Sequence, residues 1–390
     1  MFNLILFIIE SEFQLEMGKI TKWYGDKVVG KPSKGCEFCA LGAKLVLFIT
    51  GECSTNCFYC PISKERRLDV QFADEQLISN VEEAIHEAKQ ISALGVGITG
   101  GEPTLKLDRI IRYILSFKRE FGEDFHCHLY TSNALSKDAL QKLHQAGLDE
   151  IRFHPPLLIL GKNMKESIQN AKDLDWDVGI EIPVIPNNEE TLEEIITFAS
   201  KVRLDFINLN EFEFTETNFH FLRERGFSVK DRSSAAVKGS ETFALETLKK
   251  FRKSAVPLHY CSSSYKDKVQ LRNRFIRRAK NYAKPFDEIT EEGLIVRARI
   301  NVKNSQSIPS IVQALKEDHN IDDQLIEVKK EDKTISTHWK YAEKLGKSLS
   351  RKFTKDIVSI EIIHQYPYDG GFITYLNPII HNKNQDSEIG

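Results

Sequence analysis

Apolar positions along the chain fall into two alternating rhythms. Residues 44–50 (KLVLFIT) form a continuous apolar run, the mark of a buried strand. Val81, Ile85, Ala88 and Ile91 then recur at helical spacing, with Asp74 as the predicted N-cap. Residues 96–99 form a short strand ending in Gly100-Gly101, and Leu107, Ile110, Ile111, Ile114 and Leu115 mark one face of a second helix. The rhythm continues through strand 128–131, a helix around Leu140 and Leu143 closed by Gly147, strand 150–153, helix 164–174, strand 178–185, helix 192–202 and strand 206–209. Six strand-then-helix units with short links imply parallel strands and right-handed crossovers. The expected fold class is therefore α/β. Units of this length fit a partial (β/α)6 TIM-type barrel better than an open two-sided sheet, although periodicity alone does not choose. Functional groups should then gather just after the strands, at the carboxyl end of the sheet.

Past Phe214 the pattern fades into a helix over 219–223, a polar stretch (KDRSSAAVKGS), a helix over 242–253 and the segment VPLHYCSSSYKD. A basic helix over 266–284 follows, and the acidic link 287–292 is the best boundary. Beyond it, Val296, Ala298, Ile300 and Val302 alternate with Arg297, Arg299 and Asn301 as a half-buried strand. Ile308, Ile311, Val312 and Leu315 mark one helix, and Trp339, Ala342, Leu345 and Leu349 another. Val358, Ile360 and Ile362 give a strand, with a hairpin turn at Asp369-Gly370-Gly371 before 372–376. The expected division is an N-terminal extension with a CxxC over 1–42, the barrel over 43–262, a basic helix and linker over 263–288, a smaller C-terminal α+β domain over 289–380 and a flexible tail over 381–390. The apolar start (Phe2, Leu4, Ile5, Leu6, Phe7, Ile8 and Ile9) has no basic flank or cleavage site. It reads as an extra strand or as an over-long reading frame whose start is Met17 rather than Met1, not as a signal peptide.

Composition narrows the class. With 54 Lys+Arg against 56 Asp+Glu the net charge is −2, which argues against a globally basic nucleic-acid binder. No run approaches 18 apolar residues, so no spanning helix and no membrane partner are expected. Five of the seven cysteines crowd between positions 36 and 60. In a long chain with no export signal, that crowding reads as metal or redox chemistry in a cytoplasmic protein rather than as a disulfide framework.

Directly after the first strand stands Gly51-Glu52-Cys53-Ser54-Thr55-Asn56-Cys57-Phe58-Tyr59-Cys60-Pro61, a C-x3-C-x2-C. Three thiolates in one short loop can hold three corners of an iron–sulfur cube, where four cysteines are usual, and so leave one iron open to another ligand. The competing reading is a zinc loop that borrows a fourth ligand; a third cysteine with Phe-Tyr inserted is atypical of zinc. Here the sequence resembles the radical S-adenosylmethionine (SAM) superfamily, whose C-x3-C-x-aromatic-C signature is matched by Cys53, Cys57, Tyr59 and Cys60. The phrase CFYCPIS looks like the branch related to pyruvate formate-lyase activating enzymes, including its archaeal members. The resemblance covers roughly residues 36–285.

The resemblance implies a [4Fe-4S] cluster on Cys53, Cys57 and Cys60 and SAM as cofactor. An external donor's electron, passed through the cluster, would cleave SAM to a 5′-deoxyadenosyl radical. That radical would abstract hydrogen from a small-molecule, peptide or protein substrate. Gly100-Gly101-Glu102-Pro103 is similar to the family's GGE motif, where glycines admit the ligand and the Glu102 region meets the methionine ammonium; as bare sequence it is also a simple βα turn. Ser132 and Asn133 read as partners of ribose or carboxylate, or as a helix N-cap. Glu181 and Ile182, in GIEIP, resemble the adenine-packing strand without its second glycine and final Glu, or belong to a core strand. His154, Glu211 and Glu213 sit at later strand ends as substrate-side candidates beside the bland reading of surface or cap residues.

Three cysteines remain to be placed with Cys127. Cys36, Cys39 and Cys261 could hold a second iron–sulfur cluster, or zinc with His259, or nothing. Seven strand residues span about 23 Å at ~3.3 Å each, so Cys39 and Cys53 lie at opposite ends of the barrel unless residues 30–43 fold back. Cys127 reads as a packed core thiol. His126 and His128 share one strand face, where packing is favoured over ligation. The run Lys266, Lys268, Arg272, Arg274, Arg277, Arg278, Lys280 and Lys284, striped by Leu271, Phe275, Ala279 and Tyr282, reads as a solvated face, with RNA docking as the sharper alternative. A non-catalytic iron–sulfur redox or sensor protein is a further alternative.

Overall fold

The computed structural model describes residues 18–381, and both the apolar start with Met17 and the tail past His381 lie outside them. The chain forms two compact units, one up to Leu271 and one from Arg272 onward.

The first unit opens with a hairpin, β1 (Ile20–Trp23) and β2 (Asp26–Val29), and a short helix α1 (Lys34–Ala40). Then come β3 (Lys44–Phe48), the small hairpin β4 (Gln71–Ala73) and β5 (Gln76–Ile78), α2 (Val81–Gln90), β6 (Gly95–Thr99) and α3 (Leu107–Phe121). They are followed by β7 (His126–Thr131), α4 (Lys137–Gln145), β8 (Glu150–Phe153), α5 (Lys162–Lys172), β9 (Asp177–Val184), α6 (Glu189–Val202) and β10 (Phe206–Glu211). The unit closes with α7 (Phe219–Glu224), α8 (Ser240–Lys250) and β11 (Leu258–Cys261).

All strands share one sheet in the order β1-β2-β11-β10-β9-β8-β7-β6-β3-β4-β5. From β3 through β6 to β11 the order never reverses and every pair is parallel. Right-handed crossovers without a reversal put every crossover helix on one face, so the sheet curls around its other face as a partial TIM-type barrel. Strand alternation then sorts the side chains. Leu45, Leu47, Val96, Ile98, Ile151, Phe153, Val178, Ile180 and Ile182 are buried in the main apolar core. The alternate residues, among them Lys44, His128, Tyr130, Arg152, Glu181, Asn208 and His259, make the concave face polar.

The barrel has seven parallel strands rather than six, because LHYC pairs with β10 as β11. Residues 20–29 do not stand apart as an extension: β2 pairs antiparallel with β11 and joins the barrel sheet. Asp74 does not cap a helix. It sits in the β4–β5 turn with φ 50°, and Asn80 caps α2 by accepting from the Glu83 N–H at 2.9 Å.

Helix α1 folds back under the barrel. Its N-cap Ser33 accepts from the Cys36 N–H, and Gly35 N–H donates to Glu150 at 3.0 Å. A Cβ on Gly35 would stand 2.5 Å from Arg152 Nη2 and 2.7 Å from His128 Nδ1, so only glycine lets the helix approach this closely.

The second unit is an antiparallel sheet ordered β14-β15-β13-β16-β17, with β12 paired to β13, after helix α9 (Arg272–Tyr282). Its strands are β12 (Glu288–Ile289), β13 (Ile295–Val302), β14 (Ile326–Lys329), β15 (Thr334–Thr337), β16 (Ile357–Gln365) and β17 (Ile373–His381). Helices α10 (Ile308–Glu317) and α11 (Trp339–Lys352) bury Ile311, Leu315, Ala342 and Leu349 against Ile300, Ile335 and Ile360. This unit is α+β.

Candidate active site

The carboxyl ends of the parallel strands open into a cavity of about 790 Å³. Cys53, Cys57 and Cys60 line its mouth, and Lys44, the first residue of β3, lines its depth. All three thiols are free; Cys53 is exposed and the other two are half-buried. Thr55 Oγ1 lies 3.0 Å from Cys53 Sγ and 3.8 Å from Cys57 Sγ, so the loop turns two sulfurs toward one hydroxyl. The Cys60 N–H closes the second turn on the Cys57 carbonyl at 3.0 Å.

Tyr59 fastens the loop to the barrel. Its hydroxyl lies 3.0 Å from His154 Nε2 and accepts from the Leu157 N–H at 3.1 Å. His154 Nδ1 faces the Glu181 carbonyl at 2.9 Å, an acceptor only, so Nδ1 carries the proton and Nε2 accepts from the phenol. Burial lowers the His154 pKa, which keeps the ring neutral. Both nitrogens are thereby engaged, and His154 orients Tyr59. Asn218, buried after β10, donates to the Tyr59 carbonyl and to the Glu213 carbonyl, each at 3.1 Å. Arg225 lies over the Phe58 ring at 4.5 Å. On the other flank Lys106 bridges Glu52 (2.9 Å) and Asp69 (3.1 Å), and Arg109 grips Asp69 at 2.6 and 3.0 Å. None of Asn218, Arg225, Lys106, Arg109 or Asp69 carries a local motif; only their partners mark them.

Tyr59→Phe keeps the ring contacts and removes both hydroxyl bonds. Unfolding in denaturant should show a loss of about 1–3 kcal/mol, because a buried imidazole nitrogen and an N–H lose their partner.

Glu102 is fully buried and organises the second loop. Its carboxylate accepts from the Thr104 N–H (3.0 Å), Thr104 Oγ1 (2.5 Å), Thr131 Oγ1 (2.9 Å), the Ser132 N–H (2.6 Å) and Ser132 Oγ (2.6 Å). Five donors engage it, so this side chain is committed to holding the loop whose region was expected to meet the methionine ammonium. The cavity is lined here by Gly100, Gly101, Pro103 and Ser132. Asn133 Nδ2 donates to Thr104 Oγ1 at 3.1 Å, and the next helix is capped by Ser136, so neither Ser132 nor Asn133 is an N-cap. A Cβ on Gly101 would lie 2.5 Å from the carbonyl oxygens of both Gly51 and Glu52. Gly101→Ala should therefore displace the start of the cysteine loop, and iron and sulfide content after anaerobic reconstitution should fall well below wild type.

Glu181 faces the cavity, with Arg152 Nη1 at 2.6 Å, Asn208 Nδ2 at 2.8 Å and Asn210 Nδ2 at 2.9 Å. Burial pushes its pKa up, but the Arg152 guanidinium and the two amides outweigh it and bring it to about 2. Ile182 points the other way into the apolar core, so it cannot pack on a ligand in the cavity. Glu213 pairs with Lys266 at 2.5 Å, and Glu211 accepts from the Ser263 N–H at 2.8 Å; both line the cavity.

The family model described as "Radical SAM superfamily" matches residues 47–155. A Methanocaldococcus jannaschii protein named "Putative glycyl-radical enzyme activating enzyme" is 45% identical over 305 residues, covering 75% of this chain and 80% of that protein. The chain belongs to the radical SAM superfamily. A "Probable GTP 3',8-cyclase" from Pyrococcus abyssi is 25% identical over 273 residues, 66% of this chain and 76% of that one. Among solved structures, Streptococcus suis SuiB bound to its precursor peptide SuiA superposes with a TM-score of 0.41 at 13% identity. That match covers 65% of this chain and 58% of the SuiB chain.

This radical SAM chain is an enzyme, and its family implies a [4Fe-4S] cluster and SAM. The donor set fits that group. Three free thiols border one cavity, and no fourth cysteine lines it. Among the described residues no group of three His, Cys, Asp or Glu, the loop cysteines included, is already gathered around a single metal ion.

The same absence covers Cys36, Cys39, Cys261 and His259. Cys36 and Cys261 share a small core with Trp23 and Tyr265, and Cys36 Sγ takes donors from Asn208 (3.2 Å) and Arg152 (3.7 Å). His259 stands edge-on to Trp23 with burial pushing its pKa down to about 4. Because α1 folds back, Cys36 reaches the middle of the barrel rather than its far end. Cys127 is buried in the core, with its sulfur 3.7 Å from the Phe125 carbonyl. In the basic run, Lys266 is taken by Glu213, and in the second unit Arg278 is buried, donating to the Pro367 carbonyl and lying over Tyr368. These two cations are engaged within the fold. No helix of the described residues is long and apolar enough to cross a membrane.

Proposed function

We propose that this enzyme reductively cleaves SAM and abstracts a hydrogen atom from a peptide or protein segment presented at the barrel mouth. The observation that carries this reading is the loop of three free thiols facing a cavity with polar walls. Cys53, Cys57 and Cys60 would hold the cluster, which would supply one-electron reduction of SAM and, by cleavage of its C5′–S bond, methionine and the hydrogen-abstracting 5′-deoxyadenosyl radical. The chain's own residues hold the reaction in place. Tyr59, His154 and Asn218 fix the cysteine loop, Gly101 leaves room beneath it, and Glu102 rigidifies the strand ends that border the cofactor. Helix α1 closes the lower end of the barrel, which keeps bulk water from that side.

Two features support a segment of polypeptide as substrate. The 45% identical relative bears the name of an activating enzyme for glycyl-radical proteins. In addition, the segments that follow β8 and β10, α7 included, expose the large apolar side chains Leu157, Ile159, Phe219 and Phe221. Reconstituting the protein anaerobically, reducing it with dithionite and adding SAM should release 5′-deoxyadenosine and methionine. A protein substrate carrying deuterated glycine should pass deuterium into that 5′-deoxyadenosine. Release of neither product from a fully iron-loaded protein would overturn the reading.

A further inference from the structure

The deepest charge in the cavity forms no ion pair among the described residues, although it lies close enough to Glu181 to help lower that carboxylate's pKa. Lys44 is 6% exposed and lines the cavity depth. Its Nζ meets His128 Nε2 at 3.2 Å and lies 6.0 Å from the centre of the Tyr130 ring. Among the described residues no carboxylate stands within ion-pair distance of it. Those that face the interior are engaged elsewhere: Glu150 and Glu181 by Arg152, Glu213 by Lys266, and Glu211 by the Ser263 N–H and Lys230. Burial works against the ammonium, and the electrostatic pull of the nearby Cys39 and Tyr130 in their ionised forms works for it, with the net effect of raising its pKa. An ammonium has three donors, and the described residues offer it one hydrogen bond, to the His128 imidazole, on a side chain that lines the cavity. Burying such a group is costly unless something arrives to pair with it.

We propose that Lys44 anchors a carboxylate carried by the part of the substrate that reaches deepest into the barrel. This inference rests on the reading above and names a feature of its substrate: an acidic group lying below the hydrogen to be removed. A carboxylate suits the site better than a phosphate. Around Lys44 no second uncommitted cation stands among the described residues, since Arg152 is already shared by two glutamates, the adjacent His128 is held neutral by burial, and Arg67 belongs to the cysteine-loop end of the cavity. Lys44 begins β3, so its Cα lies about 20 Å below Thr50 at ~3.3 Å per residue. Fixing the acid at that depth would set which substrate hydrogen stands beside the cysteine loop. The acid could be an Asp or Glu side chain or a free carboxyl terminus of the segment.

The test uses the full-length reconstituted protein and malonate as probe, with inorganic phosphate and chloride at matched ionic strength. Malonate should bind saturably by calorimetry and raise Tm, and phosphate should bind more weakly. Lys44→Met should weaken malonate binding by roughly 10- to 100-fold, the cost of one charge-assisted hydrogen bond. Without anion, Lys44→Met should be at least as stable as wild type, because it removes an uncompensated buried charge. Equal malonate binding by variant and wild type, or none by either, overturns the proposal. So does a lower Tm for the anion-free variant, which would make Lys44 a structural cation, and so does a preference for phosphate. A peptide with an acidic side chain and one with only a free carboxyl terminus then separate the two sources. None of these readings needs SAM cleavage, so failure here and failure to form 5′-deoxyadenosine are separate results.

Discussion

Cys57→Ser is expected to reduce 5′-deoxyadenosine formation to background while the protein stays folded. Cys57 is the middle thiol of the loop, half-buried, with its sulfur turned toward the Thr55 hydroxyl. A serine hydroxyl occupies the same volume but does not ionise to give the soft anion that iron–sulfur clusters require. Loss of an outer partner of a metal ligand already costs roughly 10–100-fold, so loss of the ligand should exceed ~100-fold. Product chromatography with iron and sulfide analysis checks both halves of the expectation. Cys127→Ala supplies the control: its thiol lies in the apolar core on the opposite face of β7 from Tyr130, and burial raises its pKa. That variant should keep its cluster and its cleavage rate. Retained cleavage by Cys57→Ser would mean that the loop does not hold the group.

The contrast between those two cysteines also marks where sequence reading works. Spacing within one loop is local information, so Cys53, Cys57, Tyr59 and Cys60 were legible before any fold was known. The parallel strands were legible for a related reason, since their outward residues (Leu45 and Leu47, Val178 and Ile180) pack against helices and must be apolar. The strand β11 was hidden because all four of its residues are buried, His259 and Cys261 against Trp23 and Tyr265, and four residues are too few to reveal alternation. Likewise Glu150 and Arg152 in EIRF resemble the wet side of a half-buried strand, yet both are buried. Their partners are distant in sequence: Ser33 lies 117 positions from Glu150 and 119 from Arg152. Nothing local announces a charge network assembled across such separations. Glu102 shows a different limit, since the motif marks the loop in sequence but does not reveal that its carboxylate holds that loop together through Thr104, Thr131 and Ser132.

Arg152→Met should destabilise the protein by about 3–5 kcal/mol at neutral pH, the cost of removing one partner from a buried ion network. Arg152 sits beneath the cavity with Glu150 on one side and Glu181 on the other, and it also donates to Tyr130 Oη at 3.0 Å and Ser33 Oγ at 2.9 Å. Its planar fork serves these acceptors at once, so Arg152→Lys, a point charge, should recover little. The pH dependence gives the effect a signature. In the wild type Glu181 has its pKa depressed to about 2, chiefly because the Arg152 guanidinium outweighs burial. A depressed carboxylate stabilises the fold above its unfolded pKa near ~4.3, and that contribution, about 3 kcal/mol, is lost as pH falls toward about 2. Without Arg152 burial dominates and the Glu181 pKa rises above its unfolded value, so the folded variant takes up a proton and gains stability on acidification. The gap between wild type and Arg152→Met should therefore narrow from pH 7 to pH 4, as read from denaturant midpoints at each pH. A gap that stays constant would show that Arg152 acts through packing on Tyr130 and Phe206 rather than through charge.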